Sequence, residues 1–292
     1  QVTLTTATAD QEIFQLQADD ETSGSGGDLA PQTGASHNAD IAATRIVFAA
    51  LPADPAAPNG DVVSGIAFAT QPIVEAQNAS GQRDLNFTGT ATLAVAAGGA
   101  TLSGTTAVAF SAGRADFAQS GLKATAATDG DTFALQAATS GLAEITSATL
   151  TADVVATRIA FATPPADPGA TNGDVVSGQI FSLQPILEAR DDSGQRDLHL
   201  SGTAVGLSVA YATAELSGNN SQNWSSGQAA FDGLAATCED GSAFELQASS
   251  TGLQDVQTSL TCDVVASKLV FATQPAHGGS PTLLHGTSFE PQ

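Results

Sequence analysis

The stretch from Ala43 to Ala91, ATRIVFAALPADPAAPNGDVVSGIAFATQPIVEAQNASGQRDLNFTGTA, returns from Ala156 to Ala204 as ATRIAFATPPADPGATNGDVVSGQIFSLQPILEARDDSGQRDLHLSGTA. The offset is 113 residues throughout, and about two-thirds of the positions are identical. Self-similarity of this length at one period marks a repeat architecture. Further along, the register drifts. Phe133 of TFALQA matches Phe244 of AFELQA at an offset of 111, and Asp153 matches Asp263 at 110. Small insertions and deletions in loops between constant strands produce that drift.

Both ends carry pieces of the same unit. Residues 1–41 hold a rear part, in which Phe14 of IFQLQA takes the place of Phe133 and DIAATRI from Asp40 takes the place of DVVATRI from Asp153. Residues 266–292 hold a front part, ASKLVFATQP followed by HGTSFEPQ. The expected organisation is therefore an incomplete repeat over 1–41, complete repeats over 42–155 and 156–265, and a second incomplete repeat over 266–292. With no methionine anywhere, the chain reads as an interior or processed stretch of something longer.

Within a repeat, short alternating runs such as TRIVFA, PIVEAQ, ATLAVA and TFALQA are separated by turn clusters such as NASGQRD, SAGR and TDGD. Apolar side chains at every second position bury one face of a strand and wet the other. No 3.6-residue pattern persists for a helix length. Seven to nine short strands in about 110 residues, with a turn every 8 to 12, fit an all-β fold in which each repeat is an antiparallel two-sheet β-sandwich.

The composition limits the function. In 292 residues, 30 Asp and Glu face 8 Lys and Arg, for a net charge of -22. A phosphate-binding surface needs clustered cations, so neither nucleic acid nor an anionic membrane is an expected partner. No apolar run is long enough to insert in a membrane. The histidines His37, His199, His277 and His285 never recur at one place in two repeats, and neither a nucleophile elbow nor a phosphate loop is present. No enzymatic role is expected, and the many carboxylates read as a solvated acidic surface.

The order A-[TS]-[RK]-[IL]-x-F-A, a QP pair leading into PIVEA or PILEA, [DN]-x-S-G, SGTA and DG-x-x-F-x-L-Q-A resembles the bacterial immunoglobulin-like repeats strung through large surface adhesins. The resemblance covers essentially the whole chain. It implies an extracellular, cell-surface location and a structural role, with neighbouring repeats of the same or like chains as partners and any receptor-binding chemistry outside this segment. The family often has Tyr where this chain has Phe133 and Phe244, so that corner is expected to rest on packing alone.

Cys238 and Cys262 stand where the other complete repeat has Ala126 and Ala152. Their joint appearance favours an intradomain disulfide, with two buried thiols as the alternative. For calcium, the oxygen-rich loops offer Asp54, Asp61, Asp167, Asp174, Asp191 and Asp192, together with Asp84 and Asp197. The same N-x-S-G and D-x-S-G segments also read simply as hairpin turns. Glu75 and Glu188 are expected on an outward strand face, paired with Arg45 and Arg158. Asn78, Asn86, Asn219 and Asn223 stand in N-x-[ST] triplets and are glycan acceptors in a suitable host. Trp224, in the insertion GNNSQNWSSG, is expected to cover its own domain edge. Two functions follow: a spacer in the stalk of a secreted surface adhesin, or a subunit of an extracellular filament, sheath or matrix fibre joined through its incomplete repeats.

Overall fold

A computed structural model describes residues 9–19, 30–210 and 214–271. His277 and the HGTSFEPQ segment that begins at His285 lie outside the described residues. Every regular element among the described residues is a β-strand, and no helix is long and apolar enough to cross a membrane.

The two complete repeats fold into sandwiches of the same strand order. In the first, one sheet runs Val62–Val63, Leu150–Asp153, Thr132–Thr139, Thr90–Gly98, Ala107–Ala109, with Leu142–Thr146 also paired to Thr132–Thr139. The facing sheet runs Arg45–Ala50, Ile73–Gln77, Arg114–Asp116. In the second, the corresponding sheets run Val175–Val176, Val256–Asp263, Ala243–Ser250, Ala204–Val209, Ser221–Asn223 and Arg158–Thr163, Ile186–Arg190, Gln228–Ala230. A short two-stranded ribbon flanks each sandwich, Thr101–Ser103 with Lys123–Thr125 and Glu215–Ser217 with Ala235–Thr237.

Alternation in sequence becomes alternation in burial. Val74 and Ala76 of PIVEA point into the first core, as Leu187 and Ala189 of PILEA do in the second. Phe133 and Phe244 are almost wholly buried, so their rings contribute to the corner by hydrophobic packing. The two cores are separate, one centred on Ile46, Phe117, Leu135 and Leu150, the other on Ile159, Phe231, Leu246 and Leu260.

Two features depart from the sequence reading. The dipeptide Val62–Val63 pairs in parallel with Leu150–Asp153, as Val175–Val176 does with Val256–Asp263, so each sandwich contains one parallel ladder. Glu75 and Glu188 pair with Arg83 and with Arg190 and Arg196. Register explains the change of partner: Glu75 lies opposite Val47 and Glu188 opposite Ala160, whereas Arg45 lies opposite Gln77.

Ahead of the first sandwich, Ile13–Ala18 and Gln32–Asn38 form an antiparallel hairpin. Behind the second, Val264 to Phe271 is described without strand structure and is exposed, including Leu269, Val270 and Phe271.

Candidate functional site

A minority of the acidic residues depart from a solvated surface. Among the described residues nine aspartates are buried: Asp10, Asp54, Asp84, Asp129, Asp153, Asp167, Asp191, Asp197 and Asp263. What compensates them is the backbone. Asp54 takes the amides of Val63 and Ala69, and Asp167 takes those of Val176 and Ser182 at the equivalent positions. Asp153 accepts from Asn59 N–H (3.1 Å), and Asp263 from Thr171 N–H (2.7 Å). Charge-assisted bonds of this type satisfy loop amides that a sandwich leaves without ladder partners.

The most elaborate use of this device lies between units. Asp10 stands four residues before Phe14, Asp129 four before Phe133, and Asp240 four before Phe244. Asp10 Oδ1 accepts from Ile41 N–H (2.8 Å), in the outgoing linker of its own unit, and Asp10 Oδ2 accepts from Leu85 N–H (2.7 Å), in the next unit. Asp129 repeats this with Val154 N–H (2.6 Å) and Leu198 N–H (2.8 Å). The third member, Asp240, accepts from Val264 N–H at 3.0 Å. On the downstream side, Asp84 accepts from Ala43 N–H (2.9 Å) and Asp197 from Ala156 N–H (3.1 Å). Each of the first two linkers is thus held from both sides by carboxylates, and one carboxylate bridges the two units directly.

Backbone shape prepares the downstream half. Gly113 and Gly227 have φ of 69° and 68°, and a Cβ on either would lie 2.0 Å from the carbonyl oxygen of Asp84 or Asp197. Only glycine fits there, and this closeness lets the following turn pack behind the clasping aspartate.

At the second joint the cluster grows. His199 Nδ1 lies 2.9 Å from Asp129 Oδ2 and 3.6 Å from Asp153 Oδ1. The Asp129 and Asp153 side chains are 0% and 1% exposed, and Asp153 Oδ1 has no hydrogen-bond partner. Burial drives the Asp153 carboxyl above its ordinary range; the Asp129 and Asp197 charges add to this, against the Asn59 amide and His199. At the first joint, burial also works upward on Asp10, but the Ile41, Leu85 and Gln11 amides outweigh it and hold this carboxyl below the ordinary range. Beside the second joint, a cleft of about 310 Å³ is lined by Ser64, Ile66, Lys123, Val155 and Asp192, among others.

The sequence-selected residues are dispersed by comparison. Asp61 and Asp174 accept from Thr151 and Thr261 N–H, Asp191 from Gln195 N–H and Ser193 Oγ–H, and Asp192 from Thr157 Oγ–H. Among the described residues, the metal-competent group is instead Asp129, Asp197 and His199, with ligand atoms within 4.8 Å of one another. Cys238 and Cys262 are joined by a disulfide, with Cα atoms 6.2 Å apart. Asn78 Oδ1 caps the Ser80 and Gln82 amides, Asn86 Nδ2 donates to Asp40, and Asn219 and Asn223 are exposed. Trp224 is buried in its own core.

No family model and no curated protein matches the chain. Among solved structures, it is similar to a glycosyl hydrolase family 2 member from Bacteroides cellulosilyticus, at 14% identity and a TM-score of 0.31, over 75% of this chain and 28% of that one. It therefore spans little more than a quarter of the hydrolase. The D0-D1 domain of intimin matches at 14% identity and a TM-score of 0.26, over 70% of this chain and 96% of that one. Domains 5-6 of the S-layer protein SbsC match at 12% identity and a TM-score of 0.21, over 76% and 100%. The fold and the joints define a class: an all-β protein of repeated β-sandwich units with aspartate-clasped linkers.

Proposed function

We propose that the chain is a spacer segment of an extracellular surface protein, in which the repeats supply reach and the joints set the angle between successive units. The observation that carries this reading is the recurring clasp: Asp10 and Asp129 each bond the outgoing linker of their own unit and an amide of the next. A flexible tether has no use for a buried carboxylate shared across its joint, whereas a stiff stalk does. The Cys238–Cys262 disulfide supports an oxidising compartment. The spacing of 113 residues between equivalent positions supports a constant step per repeat.

Residual dipolar couplings measured on the whole chain in chelator-containing buffer test this reading. One alignment tensor is expected to fit the amides of both sandwiches, and Asp129→Ala to split it in two. Two different tensors in the unaltered chain overturn the spacer reading.

A filament subunit is the second reading. It draws support from exposed apolar side chains, Ile13 and Leu16 on the first hairpin and Leu269, Val270 and Phe271 behind the second sandwich. Sedimentation of the chain as a monomer at high protein concentration removes it.

A further inference from the structure

The second joint holds more negative charge than its protein partners compensate. Asp129, Asp153 and Asp197 are all buried and come from both units, yet among the described residues the one basic side chain they pair with is His199. If the imidazole donates Nδ1–H to Asp129, Asp153 Oδ1, an atom itself shut off from water, remains without a hydrogen-bond partner. An uncompensated buried carboxylate oxygen is costly. We propose that this joint binds one divalent transition-metal ion of the zinc class, held by His199 Nδ1 and the carboxylates of Asp129, Asp153 and Asp197, so that the ion ties the two sandwiches together.

The donor atoms have the right spacing. Ligands bound to one zinc-class ion at about 2.0–2.2 Å stand roughly 3–3.5 Å apart. His199 Nδ1 lies 2.9 Å from Asp129 Oδ2 and 3.6 Å from Asp153 Oδ1. Asp129, Asp197 and His199 offer ligand atoms within 4.8 Å of one another, so these three draw together by up to about 1 Å on binding, while Asp153 Oδ1 joins from its place 3.6 Å from His199 Nδ1. The amides already bonded to Asp129 and Asp197 do not block coordination, because a carboxylate oxygen carries two lone pairs and an amide uses one. Those amides act as an outer shell that fixes the ligands in place. An imidazole nitrogen with three carboxylates suits zinc or manganese; calcium takes six to eight oxygens and has no use for the nitrogen.

The first joint supplies an internal control. Asn86 stands where His199 does, donating Nδ2–H to Asp40 Oδ1 at 3.4 Å, and Asp40 is exposed where Asp153 is buried. A metal site is therefore assigned to the second joint and not to the first. This inference is independent of the spacer reading: a joint that is rigid without metal leaves it standing, and so does one that is not.

The test is calorimetric titration of the whole chain, after chelation and dialysis, with zinc chloride alone and then with manganese and calcium chlorides. One zinc per chain is expected at micromolar or tighter affinity, with calcium at least tenfold weaker. His199→Asn, which installs the residue of the first joint, is expected to weaken zinc at least tenfold while leaving the circular dichroism spectrum unchanged. The imidazole Nδ1 resonance that this variant removes must shift when zinc is added to the unaltered chain. Equal zinc affinity in the variant, no shift at Nδ1, or calcium binding as tight as zinc overturns the proposal. Should His199→Asn fail to fold, Asp153→Asn takes its place with the same expected loss of affinity.

Discussion

The two complete repeats share a strand order, a parallel ladder and the aspartate–amide bonds, and three of their differences bear on stability and on the joints. The first has Ala126 and Ala152 where the second has Cys238 and Cys262. It has Phe87 and Phe110, in edge-on contact at 4.9 Å, where the second has Leu200 and Trp224. It also enters through a joint with Asn86, whereas the second enters through one with His199. The common features are those that satisfy backbone groups, which every sandwich of this topology has to do. The differences fall where one solution to packing, cross-linking or charge can replace another without moving the backbone.

The largest test removes the cross-link. Cys238→Ala with Cys262→Ala gives the second repeat the residues of the first. Closing a 24-residue separation is worth about 3 kcal/mol on the chain-entropy account. Trp224 is the only tryptophan and is buried in the second core, so its fluorescence reports that unit alone. Denaturant unfolding followed at Trp224 is expected to lose about 3 kcal/mol, while unfolding of the first repeat stays where it was. A loss shared equally by both repeats would mean that they unfold as one body.

A smaller effect separates the joints by pH. The Asp10 carboxyl is held below its ordinary value of 3.8, so it stabilises the fold above that value and the contribution fades as pH falls below it. The Asp153 carboxyl is raised above 3.8, so its folded form binds protons more tightly than its unfolded form and stability falls as pH rises from 3.8. Acid therefore weakens the first joint and relieves the second, where Asp129, Asp197 and His199 face the group. Melting curves of Asp10→Asn and Asp153→Asn against the unaltered chain, in chelator, isolate each contribution. Asp10→Asn is expected to flatten the acid loss below 3.8, and Asp153→Asn to raise the melting temperature at neutral pH and leave it unchanged in acid. The same sign for both variants contradicts the contrast.

The repeats, their strands and the paired cysteines are legible from alternation and from internal comparison, because strand faces and repeat registers are local or periodic signals. The parallel ladder is not, since Val62–Val63 is too short to announce a partner 90 residues away, where Ala152 lies opposite Val62. The joint is hidden in the sequence for a different reason. Aspartate in a loop reads as solvated, and the composition of a strongly acidic chain reinforces that reading. Burial of Asp129 and Asp153 depends on amides and on His199 far along the chain, which only the fold brings together. A signal was present nonetheless: Asp10, Asp129 and Asp240 each stand four residues before a core Phe, and Asp40, Asp153 and Asp263 each open a linker. Aspartate held at constant offset from core positions marks a structural acceptor, whereas surface charge has no reason to keep register.

The smallest effect concerns core chemistry. In the second repeat, Trp224 Nε1–H donates to Ser250 Oγ at 3.0 Å. The equivalent hydroxyl in the first repeat, Thr139 Oγ1, is buried without a partner, because Phe110 has no donor to offer. Phe110→Trp alone overfills a core already packed by Phe87, and overpacking costs about 1–3 kcal/mol. Adding Phe87→Leu restores the volume balance of the second repeat and leaves a new donor facing Thr139. The double variant is expected to gain up to about 1 kcal/mol over the unaltered first repeat, the usual worth of one satisfied hydrogen bond. Denaturant unfolding by circular dichroism measures it, and Thr139→Val in the double variant should erase the gain. If the gain survives Thr139→Val, the benefit comes from shape alone, and the difference between the two cores is one of packing and not of hydrogen bonding.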